Sequence, residues 1–116
     1  MEGVTSAAGG DLLRASLPVP HKNFQLWLSE RCYLVVEFTT INGLVASFVV
    51  RLMQVTPDRD FNVARYDTAH GMAHRDILDA DENLVEKRWL EHMSFEDALT
   101  FAIRDFKTNC ENYLHP

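Results

Sequence analysis

CYLVVEFTTINGLVASFVVRLMQV, residues 32–55, is the stretch that decides how this chain folds. Cys32 to Ile41 and Leu44 to Val55 are two long runs of β-branched and aromatic residues. Asn42-Gly43 between them is the dipeptide that best tolerates the positive φ values of a type I′ turn, so the stretch predicts a β-hairpin. Tyr33 to Val36 and Phe48 to Val50 are apolar at consecutive positions, whereas a strand with one wet face alternates. The hairpin is therefore expected at the centre of a sheet covered on both sides. A C-terminal helix supplies one cover; the N-terminal segment or a second subunit supplies the other.

Working outward toward the C-terminus, Thr56-Pro57-Asp58-Arg59-Asp60 is a turn opened by proline. Phe61 to Thr68 reads as a third strand, with Phe61, Val63, Arg65 and Asp67 on one face and Asn62, Ala64, Tyr66 and Thr68 on the other. Ala69 to Ala73 connects it, through the permissive Gly71, to a fourth strand from His74 to Asp79. A polar turn, Asp79 to Asn83, leads to a shorter fifth strand over Leu84 to Leu90. The last element is a helix. Ser94 stands three positions before Asp97, a short form of the capping box, and Phe95, Ala98, Leu99, Ala102, Ile103, Phe106, Cys110 and Tyr113 recur at helical spacing. That stripe faces the sheet, and Phe101, to one side of it, meets the N-terminal segment or marks an association surface.

Toward the N-terminus, KNFQLWLSE (residues 22–30) fits either a strand through Phe24, Leu26 and Leu28 or a helical face through Phe24, Trp27 and Leu28; the strand is favoured. Residues 1–20, with Gly9, Gly10, Pro18 and Pro20, read as a flexible segment preceding a single domain over 21–116. The fold class expected is α+β: an antiparallel sheet of four to five strands with the C-terminal helix packed on one face.

Composition narrows the function classes. At 116 residues, 47% hydrophobic and 24% charged, the chain is an ordinary globular domain. Its formal net charge of -6 disfavours a dedicated nucleic-acid binder, because the phosphate backbone selects basic surfaces. Cys32 and Cys110 lie in apolar patterns without Cys-x-x-Cys spacing and read as reduced, buried thiols. With no signal-peptide pattern at Met1 to Gly10 and no apolar run of about 20 residues, a cytoplasmic location is expected. There is no Gly-rich phosphate loop, nucleophile elbow or Cys/His pair.

The chemistry concentrates in RYDTAHGMAHRD, residues 65–76. His70 and His74 have the side chain suited to proton transfer near neutrality. Arg65 and Arg75 can hold a phosphate or carboxylate, and Asp67 and Asp76 can orient an imidazole. Together they can cleave a phosphodiester without metal, with His70, His74, Asp67 and Tyr66 as catalytic candidates and Arg65 and Arg75 on the substrate. The bland reading stands beside it: cross-strand ion pairs, histidines bonded to a loop, and a Tyr66 ring in the core. A metal on His70, His74 and Asp76 is a third reading, weakened by the lack of a further His/Cys pair. No cofactor is expected.

The segment also resembles a family of small uncharacterised prokaryotic proteins with an Arg-Tyr-Asp-x-Ala-His-Gly-x-x-His-Arg-Asp pattern and a C-terminal helix, over Phe24 to Tyr113. A looser similarity, through Arg65, Tyr66, Asp67, His70 and His74, is to toxin components of toxin-antitoxin modules. That similarity implies a toxin-like, metal-independent ribonuclease. The acidic charge departs from it and favours a non-catalytic, antitoxin-like or regulatory interaction module, in which the motif is structural. A homodimer is expected, with a further protein partner or RNA as alternatives.

Overall fold

A computed structural model of the chain describes residues 20–116. Six strands follow one another in sequence and in space: β1 (His21–Trp27), β2 (Cys32–Ile41), β3 (Leu44–Val55), β4 (Asp60–Asp67), β5 (His74–Leu78) and β6 (Leu84–Trp89). Every neighbouring pair is antiparallel. A single long helix, α1 (Phe95–Tyr113), lies over β3 and β4. The class is the α+β arrangement expected, but the sheet has six strands, not four to five. Both weakly patterned segments pair as edge strands. An edge strand is half-wet and bonded on one side only, so its sequence need not alternate cleanly. The flexible segment expected over residues 1–20 lies, apart from Pro20, outside the described residues.

The hairpin forms as its sequence dictates. Asn42 and Gly43 take φ values of 53° and 79°, the pair of positive angles a type I′ turn demands. Leu34, Val36, Phe48, Val50 and Leu52 pack against Ala98, Ala102, Phe106 and Cys110 of α1. The two alanines let the helix approach the sheet, and burying Phe106 alone stabilises the fold by roughly 2–3 kcal/mol. Ser94 caps α1 by accepting from the Asp97 amide at 3.1 Å. Beyond the helix the tail is tied down by a reciprocal pair, the Gln54 amide donating to the His115 carbonyl (2.9 Å) and His115 N–H donating to Gln54 Oε1 (2.8 Å).

One alternation fails. Phe61, Val63, Ala64 and Tyr66 all belong to the core, while the register with β3 slips between Leu52 and Met53. The irregularity inserts one residue into β4 and resets which face follows. Phe61 and Val63 therefore do not share a face with Arg65 and Asp67, contrary to the simple period of two.

Among the described residues α1 is the only long helix, and it occupies one face. On the other, Val35, Val49 and Met53 are half-buried. The N-terminal cover expected there falls on residues outside the described ones. No helix among the described residues is long and apolar enough to cross a membrane.

Candidate functional site

The pairing of β4 with β5 sets Arg65 opposite Asp76, Tyr66 opposite Arg75, and Asp67 opposite His74. Directly opposed residues share a face of the sheet, and consecutive ones do not. The motif is thus sorted by parity. Arg65, Asp67, His74 and Asp76 lie on the face away from α1; Tyr66 and Arg75 lie beneath it. Between the two groups stands the thickness of the sheet.

On the open face the charged groups close on one another. His74 is 1% exposed, and its Nδ1 donates to the Met72 carbonyl at 3.0 Å while Nε2 lies 2.9 Å from Asp67 Oδ1. A carbonyl only accepts, so the bond to Met72 places a proton on Nδ1, and Nε2 is turned to the Asp67 carboxylate. Asp76, also 1% exposed, accepts from Arg65 Nε at 3.0 Å and from Lys87 Nζ at 2.7 Å. Arg65 Nε lies 3.3 Å from Asp67 as well. Burial would push the Asp76 carboxyl up, but the hydrogen bonds from Lys87 and Arg65 outweigh it and hold it below the ordinary carboxylate value. Trp89 roofs the cluster, its ring 5.0 Å from that of His74 and 5.3 Å from Lys87 Nζ.

His70 stands apart from this group. Asp67 Oδ1 accepts from the Ala69 amide (2.9 Å) and opens a 3-10 turn over Ala69–Gly71 in which His70 is exposed at a φ of 68°. The donors that do converge are Asp67, His74 and Asp76, all within 4.8 Å of one another. They fit a metal poorly: Arg65 and Lys87 already neutralise both carboxylates, and a divalent ion there would meet two fixed positive charges.

Under the helix a second cluster forms. Tyr66 donates to Asp105 Oδ2 at 2.7 Å, Tyr113 donates to the same oxygen, and Asn109 donates to Oδ1 at 2.8 Å. Arg75 reaches the Tyr113 hydroxyl at 3.3 Å and Glu86 at 3.0 Å, and leaves its buried Nε without an acceptor. Burial, then the bond to Asp105, drives the Tyr66 hydroxyl far above the usual phenol range. It is a locked donor. Burial pushes Asp105 up, but the bonds from Tyr113, Asn109 and Tyr66 and the charge of Arg75 bring it net below its ordinary value. The Tyr66 ring rests 5.1 Å from Phe106 and 6.0 Å from Phe101.

Sequence reasoning passes over Lys87, Asp105, Asn109 and Tyr113 as polar partners. The last three stand at i, i+4 and i+8 on α1, one side of its apolar stripe, which is the available signal. Lys87 faces Asp76 only once the β5–β6 register is known.

Fold and site together define a small α+β domain whose six-stranded meander is tied by a charged motif on one face and a tyrosine-aspartate cluster on the other. By its sequence the chain belongs to a family of domains of unknown function, DUF7718, matched over residues 19–116. No curated protein and no solved structure matches it.

Proposed function

We propose that this domain is a non-catalytic protein-interaction module in which the 65–76 motif is structural. The observation that carries the reading is the division of the motif: Tyr66 and Arg75 share one face, Arg65, Asp67, His74 and Asp76 the other, and those four are engaged with one another or with Lys87. A phosphodiester needs an acid, a base and a cation converging on one open point. Here His74 is sealed and His70 is exposed on a separate turn. The rims of the sheet offer what a partner needs. Edge strands β1 and β6 present Phe24, Trp27, Val85 and Trp89, each more than 40% exposed, and large aromatics of this kind anchor interfaces. A second copy of the chain is the simplest partner.

The test runs purified protein beside His70→Ala and His74→Ala variants, scoring cleavage of total RNA, oligomeric state and urea unfolding. The structural reading expects no cleavage, a stable oligomer or complex, and a large loss of stability in His74→Ala. Chelator-resistant RNA cleavage that disappears in a folded His70→Ala protein would replace it with the toxin-like ribonuclease.

A further inference from the structure

We infer that the recess between β5, β6 and α1 binds a carboxylate carried on a compact apolar group. This lies across the sheet from the buried histidine network and does not depend on what that network does.

The recess encloses about 270 Å³. Its floor is Tyr66 and Asp105, and its apolar walls are Leu90, Met93 and Phe101. Arg75 and Arg88 complete it, and these two are directly opposed residues of β5 and β6. Like charges at directly opposed positions of a ladder repel each other unless anions offset them. Among the described residues Asp105 and Glu86 offset the Arg75 charge, and little relieves Arg88. Arg88 has no acidic partner among them, and Arg75 has Glu86, whose side chain is 57% exposed, besides a neutral tyrosine hydroxyl. Asp105 takes its bonds from the neutral donors Tyr66, Tyr113 and Asn109 and keeps its charge, and the buried Arg75 Nε still has no acceptor.

The walls select the rest of the ligand. Phe101 is 43% exposed beside the buried stripe of α1, and its ring meets that of Tyr66 edge to face. A bare phosphate would lose its hydration against Leu90, Met93 and Phe101 and gain no contact from them. An organic acid seats its carboxylate on the arginine pair and its apolar body on those three side chains, the usual division of labour in a small-molecule pocket. A free organic acid and the C-terminus of a polypeptide both present this chemistry.

The experiment is an NMR titration of the full chain with phenylacetate, phenylacetamide, inorganic phosphate and N-acetyl-glycyl-phenylalanine, read at the arginine Nε–H and Phe101 ring signals. Saturable shifts with phenylacetate, a dissociation constant on the order of 1 mM, and weakening of about tenfold in Arg88→Gln are expected. Phenylacetamide should bind at least about tenfold more weakly. Arg88 and Phe101 are exposed, so Arg88→Gln and Phe101→Ala should fold, and the phenylacetamide comparison needs no variant at all. Tighter binding of the dipeptide than of phenylacetate assigns the site to polypeptide C-termini, and the reverse assigns it to free acids. The inference is overturned if no shift saturates at these residues, if amide and acid bind alike, or if phosphate binds as well as phenylacetate.

Discussion

Arg65 and Tyr66 are neighbours in the chain and belong to different structures. Arg65 enters a largely buried network on the face away from the helix, with Asp67, His74, Asp76 and Lys87; Tyr66 enters a cluster in which hydroxyls bond one carboxylate under a helix. The first side ties three strands to each other, β4 through β6. The second ties the sheet to α1. A motif dense in reactive residue types can thus be explained by two fastenings made from alternate residues, each holding a different pair of layers or strands.

The comparison is broken most severely at Asp76, the carboxylate on which the open-face cations converge. Replacing Asp76 with Ala leaves Arg65 and Lys87 without their common partner, and a loss of about 3 kcal/mol is expected, as for a buried pair with one member removed. Urea unfolding would measure it. A loss under about 1 kcal/mol would show that the network is a solvated surface feature. On the helix side the equivalent cut is milder. Tyr66→Phe keeps the ring against Phe106 and removes only the bond to Asp105, so about 1 kcal/mol is expected from the same measurement.

Acid sharpens the contrast. The Asp76 and Asp105 carboxyls are both held below their ordinary values in the folded chain. A group depressed in this way contributes stability that is present above its unfolded pKa, near 3.9, and is lost as pH falls through the lower folded value. Urea midpoints should therefore drop as pH falls below about 4, and the drop should be shallower in Asp76→Asn, which has no proton to gain there. An unchanged slope would place the acid sensitivity on other carboxylates.

Much of the fold is legible because its signals are local. Asn42-Gly43 sets the turn by backbone sterics alone, and the Ser94 cap and the stripe from Phe95 to Tyr113 need only the helical period. What escapes the sequence is relational. Whether His70 and His74 face the same way depends on the turn between them and on the parity of β5, neither of which is written in either residue. The irregularity opposite Leu52 and Met53 leaves no mark that a period of two would reveal, so Phe61 and Val63 are assigned to the wrong face. The edge strands are legible in part: a strand is favoured over residues 22–30 and read over Leu84 to Leu90, and both form, but with one side unpaired they alternate too weakly to fix the number of strands. Candidate site residues are legible as a cluster, and their sorting into two clusters is a property of register.

The two histidines discriminate most sharply, and His70 gives the smallest expected effect. His74 is buried with both ring nitrogens engaged, so His74→Ala removes its contacts to the Met72 carbonyl and Asp67 and leaves a cavity, at a cost of about 2–3 kcal/mol. His70 is exposed and sits at positive φ, where no packing is lost on truncation. His70→Ala should change stability by no more than about 0.5 kcal/mol, as for surface substitutions generally. Because alanine is no easier to hold at that φ than histidine, His70→Gly should be as stable or slightly more so. If His70→Ala instead unfolds the chain as readily as His74→Ala, the turn is part of the fastening. The motif would then be one cooperative unit running through the loop between β4 and β5, not a pair of strand ends joined by a tolerant connection.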